Sequence, residues 1–355
     1  MTTWTPFTAG AVAEPALART KNGPLHVVWR EATRLMHAVI PSAGPPAAIG
    51  ADWGSTLSAP WLIAAPDGSL QVLFTTKNGL HTATSKDAGA KWDVAPPSAH
   101  ASPLFAAAGD KDGKPFTISA ADVRAGADRL AVALDAESFE GWAAWHEGTG
   151  LYAKAVKPAA GVAQLAPTSK LAPSQRLALA PRIGAPGVYL AYCAIEGVKL
   201  WNVRGGEALT VARAAGARNA WIAPAPDGRL WILWTNLNNT VSAMRSNKSL
   251  QRFSRPYTLT SPGPIRSVAA EGSTGPLDVI VGGSHTRLVP ELELVASPEG
   301  VRVMDLGDPV EGAQVEVWGK TIKTDAKGLA AGTAPLAKVI QAGYAPATLQ
   351  AQRAR

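Results

Sequence analysis

Cysteine is almost absent from this chain. Cys193 is the only cysteine among 355 residues, which excludes an internal disulfide. It lies in the apolar run from Val188 to Ile195, where a small buried side chain is expected rather than a nucleophile. Because no histidines and cysteines have zinc-ligand spacing, we expect no metal and no cofactor.

Charged residues are also few. They make up 17% of the chain against 46% apolar residues, a balance that excludes a disordered protein and predicts a large core. The net charge is +7, but lysine and arginine form no run of five, so no nucleic-acid partner is predicted. No apolar run approaches the ~20 residues of a membrane span. Residues 1–10 lack the basic and apolar regions of a signal peptide, and localisation and oligomeric state stay open.

What the chain does contain is a repeat. Two apolar strands joined by a Gly-containing turn, followed by a third strand, recur at intervals of roughly 40 to 60 residues. The two best copies are Pro60 to Phe74 and Ala220 to Trp234. Six copies predict an all-β fold, a six-bladed β-propeller over residues 1–298, whereas a β-sandwich would not explain the repetition. Thr3 to Phe7 is predicted to close the ring with the last blade.

One turn of the repeat has four fixed positions. Ser85, Asp87, Gly89 and Trp92 are spaced as S-x-D-x-G-x-x-W, so two short polar side chains can bond the turn backbone and glycine can take a positive φ. The motif resembles the Asp-box of the bacterial neuraminidase repeat, a structural turn between the third and fourth strands of a blade. Arg245 to Ser249 stands where a second Asp-box is expected, without its Asp and Gly.

Residues 1 to 295 resemble the sialidase superfamily, from an opening at Ala13 to Gly23 onward. That resemblance implies three carboxylate-binding arginines, a tyrosine nucleophile and an acid/base aspartate. Ala13 stands at the first arginine position, and no aspartate follows the first hairpin before Asp52. These departures predict a protein that binds without catalysis. Later candidates outside recognisable motifs are Arg182 and Arg266 for the clamp and Tyr189, Tyr192 or Tyr257 for the nucleophile.

The segment from Asp135 to Glu147 is predicted to be the longest loop of the repeat, and long loops on rigid scaffolds often carry function. Ligand-binding candidates are Trp53, Trp142, Trp145 and His146. If the protein is an enzyme, the catalytic candidates are Asp135, Glu137, Glu140, Glu147 and Arg182. The alternative is that the aromatic side chains only pack this loop. Trp61 and Trp221 occupy equivalent repeat positions and are predicted to be core.

The sequence changes character after about Val301. Gly307 to Val317, Thr324 to Gly328 and Ala342 to Tyr344 resemble the carboxypeptidase regulatory-like, transthyretin-like (Ig-like) β-sandwich. This resemblance predicts a second domain over residues 299–355, of a kind that often serves as a spacer or docking piece outside the cell.

Three functional hypotheses follow. The first is a non-catalytic propeller that binds a glycan or a cell-surface or protein partner, outside the cell by family resemblance. The second is an exo-glycosidase of sialidase type with a rearranged active site. The third is a structural component of an extracellular fibre, a phage tail or an injection assembly.

Overall fold

The computed structural model describes residues 3–21, 23–41, 44–99, 104–124, 127–166, 177–214, 216–317, 319–332 and 336–350. Within these ranges the chain is all-β apart from α1, a single helical turn at Ala120–Val123. No helix in the described ranges is long and apolar enough to cross a membrane.

The first three sheets follow one another along the chain. Strand β1 (Thr5–Pro6) precedes them and belongs to a later sheet. Sheet 1 contains β2 to β5, at Ala13–Arg19, Leu25–Glu31, Arg34–Ile40 and Ala47–Ile49. Sheet 2 contains β6 to β9, at Trp61–Ala64, Leu70–Thr76, Gly79–Ser85 and Asp93–Val94. Sheet 3 has two strands, β10 and β11, at Phe105–Gly109 and Pro115–Ser119.

The next four sheets have four strands each. Sheet 4 contains β12 to β15, at Arg129–Leu134, Gly141–Glu147, Gly150–Lys157 and Gln164–Leu165. Sheet 5 contains β16 to β19, at Ala178–Pro181, Val188–Ala194, Gly197–Asn202 and Leu209–Ala212. Sheet 6 contains β20 to β23, at Ala217–Pro224, Leu230–Asn236, Thr240–Arg245 and Tyr257–Thr260. Sheet 7 contains β24 to β26, at Val268–Glu271, Leu277–Val281 and Ser284–Leu288, and is completed by β1.

The seven first strands of these sheets form a closed ring. Each of β2, β6, β10, β12, β16, β20 and β24 contacts the next, and β24 contacts β2. The predicted count of six blades is therefore wrong, because sheet 3 lies between sheets 2 and 4. The alanine-rich strand Phe105–Gly109 carries no β-branched residue, so it escaped the strand pattern. Alanines are frequent in the innermost strands because neighbouring sheets converge toward the axis and leave little room.

The N-terminal strand closes the ring as predicted. Thr5 pairs with His285 in the antiparallel β1–β26 ladder, and the Trp4 indole donates to the Thr260 carbonyl at 2.7 Å. Phe7 is buried edge-on against Trp29, with ring centroids 5.5 Å apart. Sheet 7 thus takes its fourth strand from the opposite end of the chain, and this pairing ties the first residues to the last sheet.

The C-terminal strands build two more sheets around a separate apolar cluster. Sheet 8 contains β27, β28 and β29, at Glu293–Ser297, Gly300–Asp305 and Asp308–Pro309, with β32 at Leu329–Ala331 paired to β28. Sheet 9 contains β30, β31, β33 and β34, at Gln314–Val317, Lys320–Lys323, Leu336–Ile340 and Ala347–Gln350. Val303, Val315 and Val339 are fully buried between them. We call residues 293–350 the C-terminal module; its first strand begins before the predicted boundary at residue 299.

Candidate functional site

A cavity of about 760 Å³ opens at the end of the ring where the innermost strands begin. Its wall includes the first residues of several of these strands, among them Ala13, Trp61, Phe105 and Arg129. A second cavity of about 420 Å³ follows the same strands to their other ends, reaching Leu134. We call the first cavity the mouth and its continuation the channel.

Aromatic side chains form part of the mouth. Trp61, Phe105 and Trp221 line it, and both tryptophans also border the channel below. Trp61 and Trp221 do occupy equivalent positions, opposite Leu73 and Leu233 on the adjacent strands. The sequence predicted them as core residues of the repeat. Trp221 is largely buried, yet each indole also borders the mouth.

Three arginines share the mouth. Arg30 donates to the Leu57 carbonyl at 3.0 Å and pairs with the Glu14 carboxylate at 3.1 Å. Arg129 and Arg266 have no carboxylate within ion-pair distance among the described residues. The mouth therefore holds two guanidinium groups available to an anionic ligand.

Arg30 lies directly across the sheet from the position where the sialidase resemblance expects an arginine. Ala13 and Arg30 are register partners in the β2–β3 ladder. A bulge follows Ala13, and Glu14 there adopts φ +51°, an uncommon conformation for a residue with a side chain. Sequence reasoning missed Arg30 because only pairing between strands brings it to the mouth.

The mouth also holds a second carboxylate, that of Asp128. It contacts the His146 imidazole, with Nδ1 and Oδ1 2.8 Å apart, and His146 is the register partner of Arg129. His146 was predicted as a ligand-binding residue, and the structure places it beside two residues of the mouth. Glu147, the next residue, pairs with Arg124 at 3.1 Å.

The predicted long loop at Asp135 to Glu147 is wrong. Gly141–Glu147 is the second strand of sheet 4, so the connection is a hairpin of six residues, Asp135 to Glu140. The error came from reading Leu130 to Leu134 as a second strand, whereas it belongs to the innermost strand. Because that strand runs from the mouth to the far end of the channel, Asp135, Glu137 and Glu140 lie at the end opposite to the mouth.

Asp135 organises this hairpin. Its buried carboxylate accepts hydrogen bonds from the backbone of Glu137 and Ser138 at 3.0 Å and of Gly187, in the next sheet, at 2.6 Å. Burial alone would raise the pKa of Asp135, but hydrogen bonds from the Ser138, Gly187 and Glu137 backbone lower it. Glu140 pairs with Arg204 at 2.9 Å. Asp135 therefore joins two hairpins far from the mouth.

Arg182 also lies at the far end. Its side chain donates to the Gly228 carbonyl at 2.7 Å and to the Lys248 carbonyl, and it thereby joins sheets 5 and 6. Among the tyrosines proposed as nucleophiles, Tyr192 is 3% exposed and its burial raises its pKa far above the ordinary value. Neither Tyr192 nor Tyr189 nor Tyr257 is among the described residues that line the mouth.

The other predicted tryptophans pack between sheets. Trp53 donates to the Ile49 carbonyl at 2.9 Å and packs against Phe74, with centroids 4.8 Å apart. Trp142 is buried between sheets 4 and 5, and Trp145 is 1% exposed and stacked on Tyr152. A ligand would reach Trp142 or Trp145 only if the sheets separated.

The four-position turn has the geometry that its spacing predicts. Ser85 donates to Asp87 at 2.8 Å and accepts from the Gly89 backbone at 2.8 Å, while Asp87 accepts from the Lys91 backbone at 2.9 Å. Gly89 adopts φ +89°, and the Trp92 indole donates to its carbonyl at 3.1 Å. The turn follows the third strand of sheet 2, at the end opposite to the mouth.

No protein-family model and no curated protein sequence matches the chain. Among solved structures, virginiamycin B lyase from Staphylococcus aureus has a TM-score of 0.53 at 12% identity, over 81% of this chain and 98% of that one. A streptogramin B lyase has a TM-score of 0.53 at 12% identity, over 81% of this chain and 97% of that one. The fucose-binding lectin of Aleuria aurantia has a TM-score of 0.44 at 15% identity, over 86% of this chain and 99% of that one. At these identities the two lyases show the fold alone: this chain is similar to β-propellers.

Proposed function

We propose that this protein binds a carboxylate-bearing glycan at the mouth and does not cleave it. The observation that carries the proposal is the pair Arg129 and Arg266, two guanidinium groups without a carboxylate partner among the described residues, in a cavity that aromatic side chains also line. A guanidinium fork matches a carboxylate bidentately, and the match gives direction as well as energy. Concave sites with a few convergent polar groups are typical of ligand binding.

The aromatic residues support the saccharide part of the proposal. Trp61 is half-buried and gives the mouth a flat apolar surface with a polar edge, while the more deeply buried Phe105 and Trp221 border the same cavity. The C–H faces of a sugar ring can stack on such surfaces while the hydroxyl groups stay hydrated. The volume of about 760 Å³ lies within the range of small-molecule sites.

The carboxylates of the mouth support binding rather than hydrolysis. Glu14 is held by Arg30 and Asp128 by His146. Glycosidases of the usual kind need one carboxyl group that gives a proton and a second that attacks or activates water. Of the carboxylates predicted from the sequence for this role, Asp135, Glu137 and Glu140 lie at the far end of the channel. Glu147 ends the second strand of sheet 4 at the mouth end and is paired with Arg124.

The experiment is a calorimetric titration with oligosaccharides that end in a uronic or sialic acid, each paired with its neutral, carboxyl-reduced analogue. We expect the acidic member alone to bind, and Arg129→Met or Arg266→Met to weaken it at least tenfold. Arg302→Met, which removes the same charge from an exposed arginine of the C-terminal module, is the control and should leave affinity unchanged. Equal binding of both members, or an equal loss in the control, would overturn the carboxylate assignment.

Mass spectrometry of the titrated sugars tests the second half of the proposal. An unchanged mass after prolonged incubation is expected. A released terminal sugar would establish a glycosidase, and Glu14→Gln and Asp128→Asn would then identify its carboxyl groups.

A further inference from the structure

A buried cluster of charges joins the C-terminal module to sheet 6. Asp305, at the end of β28, is 1% exposed. Its Oδ2 accepts from Arg245 Nη1 at 2.7 Å and from the Tyr344 hydroxyl at 2.6 Å, and it lies 3.0 Å from Arg229 Nε. Both arginines belong to the propeller and are 2% exposed. The carboxylate that the two arginines share is thus supplied by the module, and Arg229 pairs in addition with Asp227 of the propeller at 3.2 Å.

A second carboxylate of the module extends this contact. Asp308 Oδ2 accepts from Arg229 Nη2 at 2.9 Å and from the Lys248 backbone N–H at 2.8 Å. We call Arg229, Arg245, Asp305, Asp308 and Tyr344 the junction cluster. Its hydrogen bonds come from the side chains and the backbone of two propeller segments, so they fix both the position and the direction of β28 and β29.

Close backbone packing surrounds the cluster. A Cβ on Gly307 would lie 2.4 Å from Arg252, and one on Gly343 would lie 3.3 Å from the Thr274 carbonyl oxygen. The Ala345 N–H donates to the Pro290 carbonyl at 2.9 Å. These contacts leave little freedom for the module to turn.

Removing one member of a buried, hydrogen-bonded charge group leaves the others uncompensated away from water, which is strongly unfavourable. Rotation of the module would have the same consequence, because Arg229 and Arg245 would lose Asp305 together. We propose that the junction cluster locks the module and the propeller into one rigid body, with the module fixed at the end opposite to the mouth.

The position of the junction cluster at the end opposite to the mouth follows from the strand directions. Arg229 directly precedes the second strand of sheet 6 and Arg245 ends its third, and both positions lie at the far end of the channel. A rigid junction there makes the mouth face away from whatever the module contacts. This inference does not depend on the ligand of the mouth.

The test is a distance distribution between two spin labels, at Lys77→Cys near the mouth end of sheet 2 and Lys320→Cys on the module; both positions are exposed and Cys193 is buried. A single narrow distribution and one thermal unfolding transition are expected for the otherwise unchanged protein. Asp305→Ala should broaden the distribution severalfold and separate an earlier transition of the module. Glu316→Ala, an exposed charge deletion in the same module, should do neither.

Tyr344→Phe provides a milder variant if Asp305→Ala does not fold. It removes only the hydroxyl hydrogen bonds to Asp305 and Arg245 and should broaden the distribution measurably. A broad distribution in the unchanged protein would overturn the proposal, as would a distribution that stays narrow in both junction variants.

Discussion

Two turns of this propeller occupy the same place in their sheets and perform different tasks. Both follow a third strand, at Ser85 to Trp92 in sheet 2 and at Ser246 to Ser254 in sheet 6. In the first, Asp87 accepts from the backbone of the fourth residue after it, Lys91, at 2.9 Å. In the second, Asn247 accepts from the fourth residue after it, Gln251, at 3.0 Å.

The two turns differ in what they pack against. Gly89 lies against His37 of sheet 1, so close that a Cβ there would be 2.0 Å from the imidazole. The second turn has no glycine; Leu250 takes the positive φ of +60° and is buried, and Lys248 binds Asp308 of the C-terminal module. A short polar side chain that accepts hydrogen bonds from the backbone is therefore sufficient to form the turn. The residue types at the other positions depend on the surface against which each turn packs.

The largest expected effect is a loss of stability at low pH, which should arise at the first turn and not at the second. His37 packs against the first turn and pairs with His26, with His37 Nε2 and His26 Nδ1 3.1 Å apart. Burial lowers the pKa of each to about 4, aided by Arg19 beside His26 and by His26 beside His37. The unfolded chain therefore binds more protons, and stability should fall as the pH drops from about 6.5 to about 4, by at most about 3 kcal/mol per histidine.

Urea unfolding at pH 7, 6, 5 and 4 measures this loss. His37→Gln should remove about half of the loss over that window, because His26 remains buried. Asn247→Ala, in the second turn, should lower stability by a similar amount at every pH. A flat profile in the unchanged protein would contradict the prediction.

The second largest loss of stability is expected from Gly89→Ala. The substitution combines a positive φ with overpacking against His37, and we expect a loss of about 3 kcal/mol in the free energy of unfolding. Gly68→Ala is a matched control in the same sheet, since Gly68 has φ +88° and no atom within 4 Å of the added Cβ. It should cost only about 1 kcal/mol by urea unfolding. Equal losses would show that the contact with His37 is immaterial.

Among the three changes that act on the two turns, Asn247→Ala should have the smallest effect. It leaves the Gln251 and Arg252 N–H groups without their acceptor, which we expect to cost about 2 kcal/mol. Asn247→Asp keeps an oxygen acceptor and should recover most of that loss in the same urea titration. If the aspartate variant is as unstable as the alanine variant, the acceptor role assigned to Asn247 fails.

The sequence predicted the turns, hairpins and strands, which form between residues close in the chain. The spacing of Ser85, Asp87 and Gly89 predicted a turn whose hydrogen bonds the structure contains, because such turns are made within a few residues of the chain. The Gly-containing hairpins and the apolar strands predicted an all-β propeller for the same reason. Counting its sheets required more than local pattern, and the weakly strand-like sheet 3 was missed.

The sequence predicted little of the candidate site beyond Arg266, which lines the mouth, and His146, which lies beside it. Arg30 reaches the mouth through its pairing with Ala13, and Trp61, Trp221 and Arg129 come together only because the ring brings distant strand ends around one axis. The carboxylates of Asp135, Glu137 and Glu140 looked equally suitable, but they lie at the end of the channel opposite to the mouth, because Leu130 to Leu134 is an innermost strand and not a second strand.

The sequence by itself determined the turns, the strands and the repeat, since these depend on neighbours in the chain. The tertiary structure decided which side chains share a cavity and which charges meet between propeller and module. Arg245 and Asp305 lie 2.7 Å apart in the structure and are separated by 60 residues in the chain. No local pattern encodes such a meeting, because it depends on how the whole ring closes and on where the module then packs.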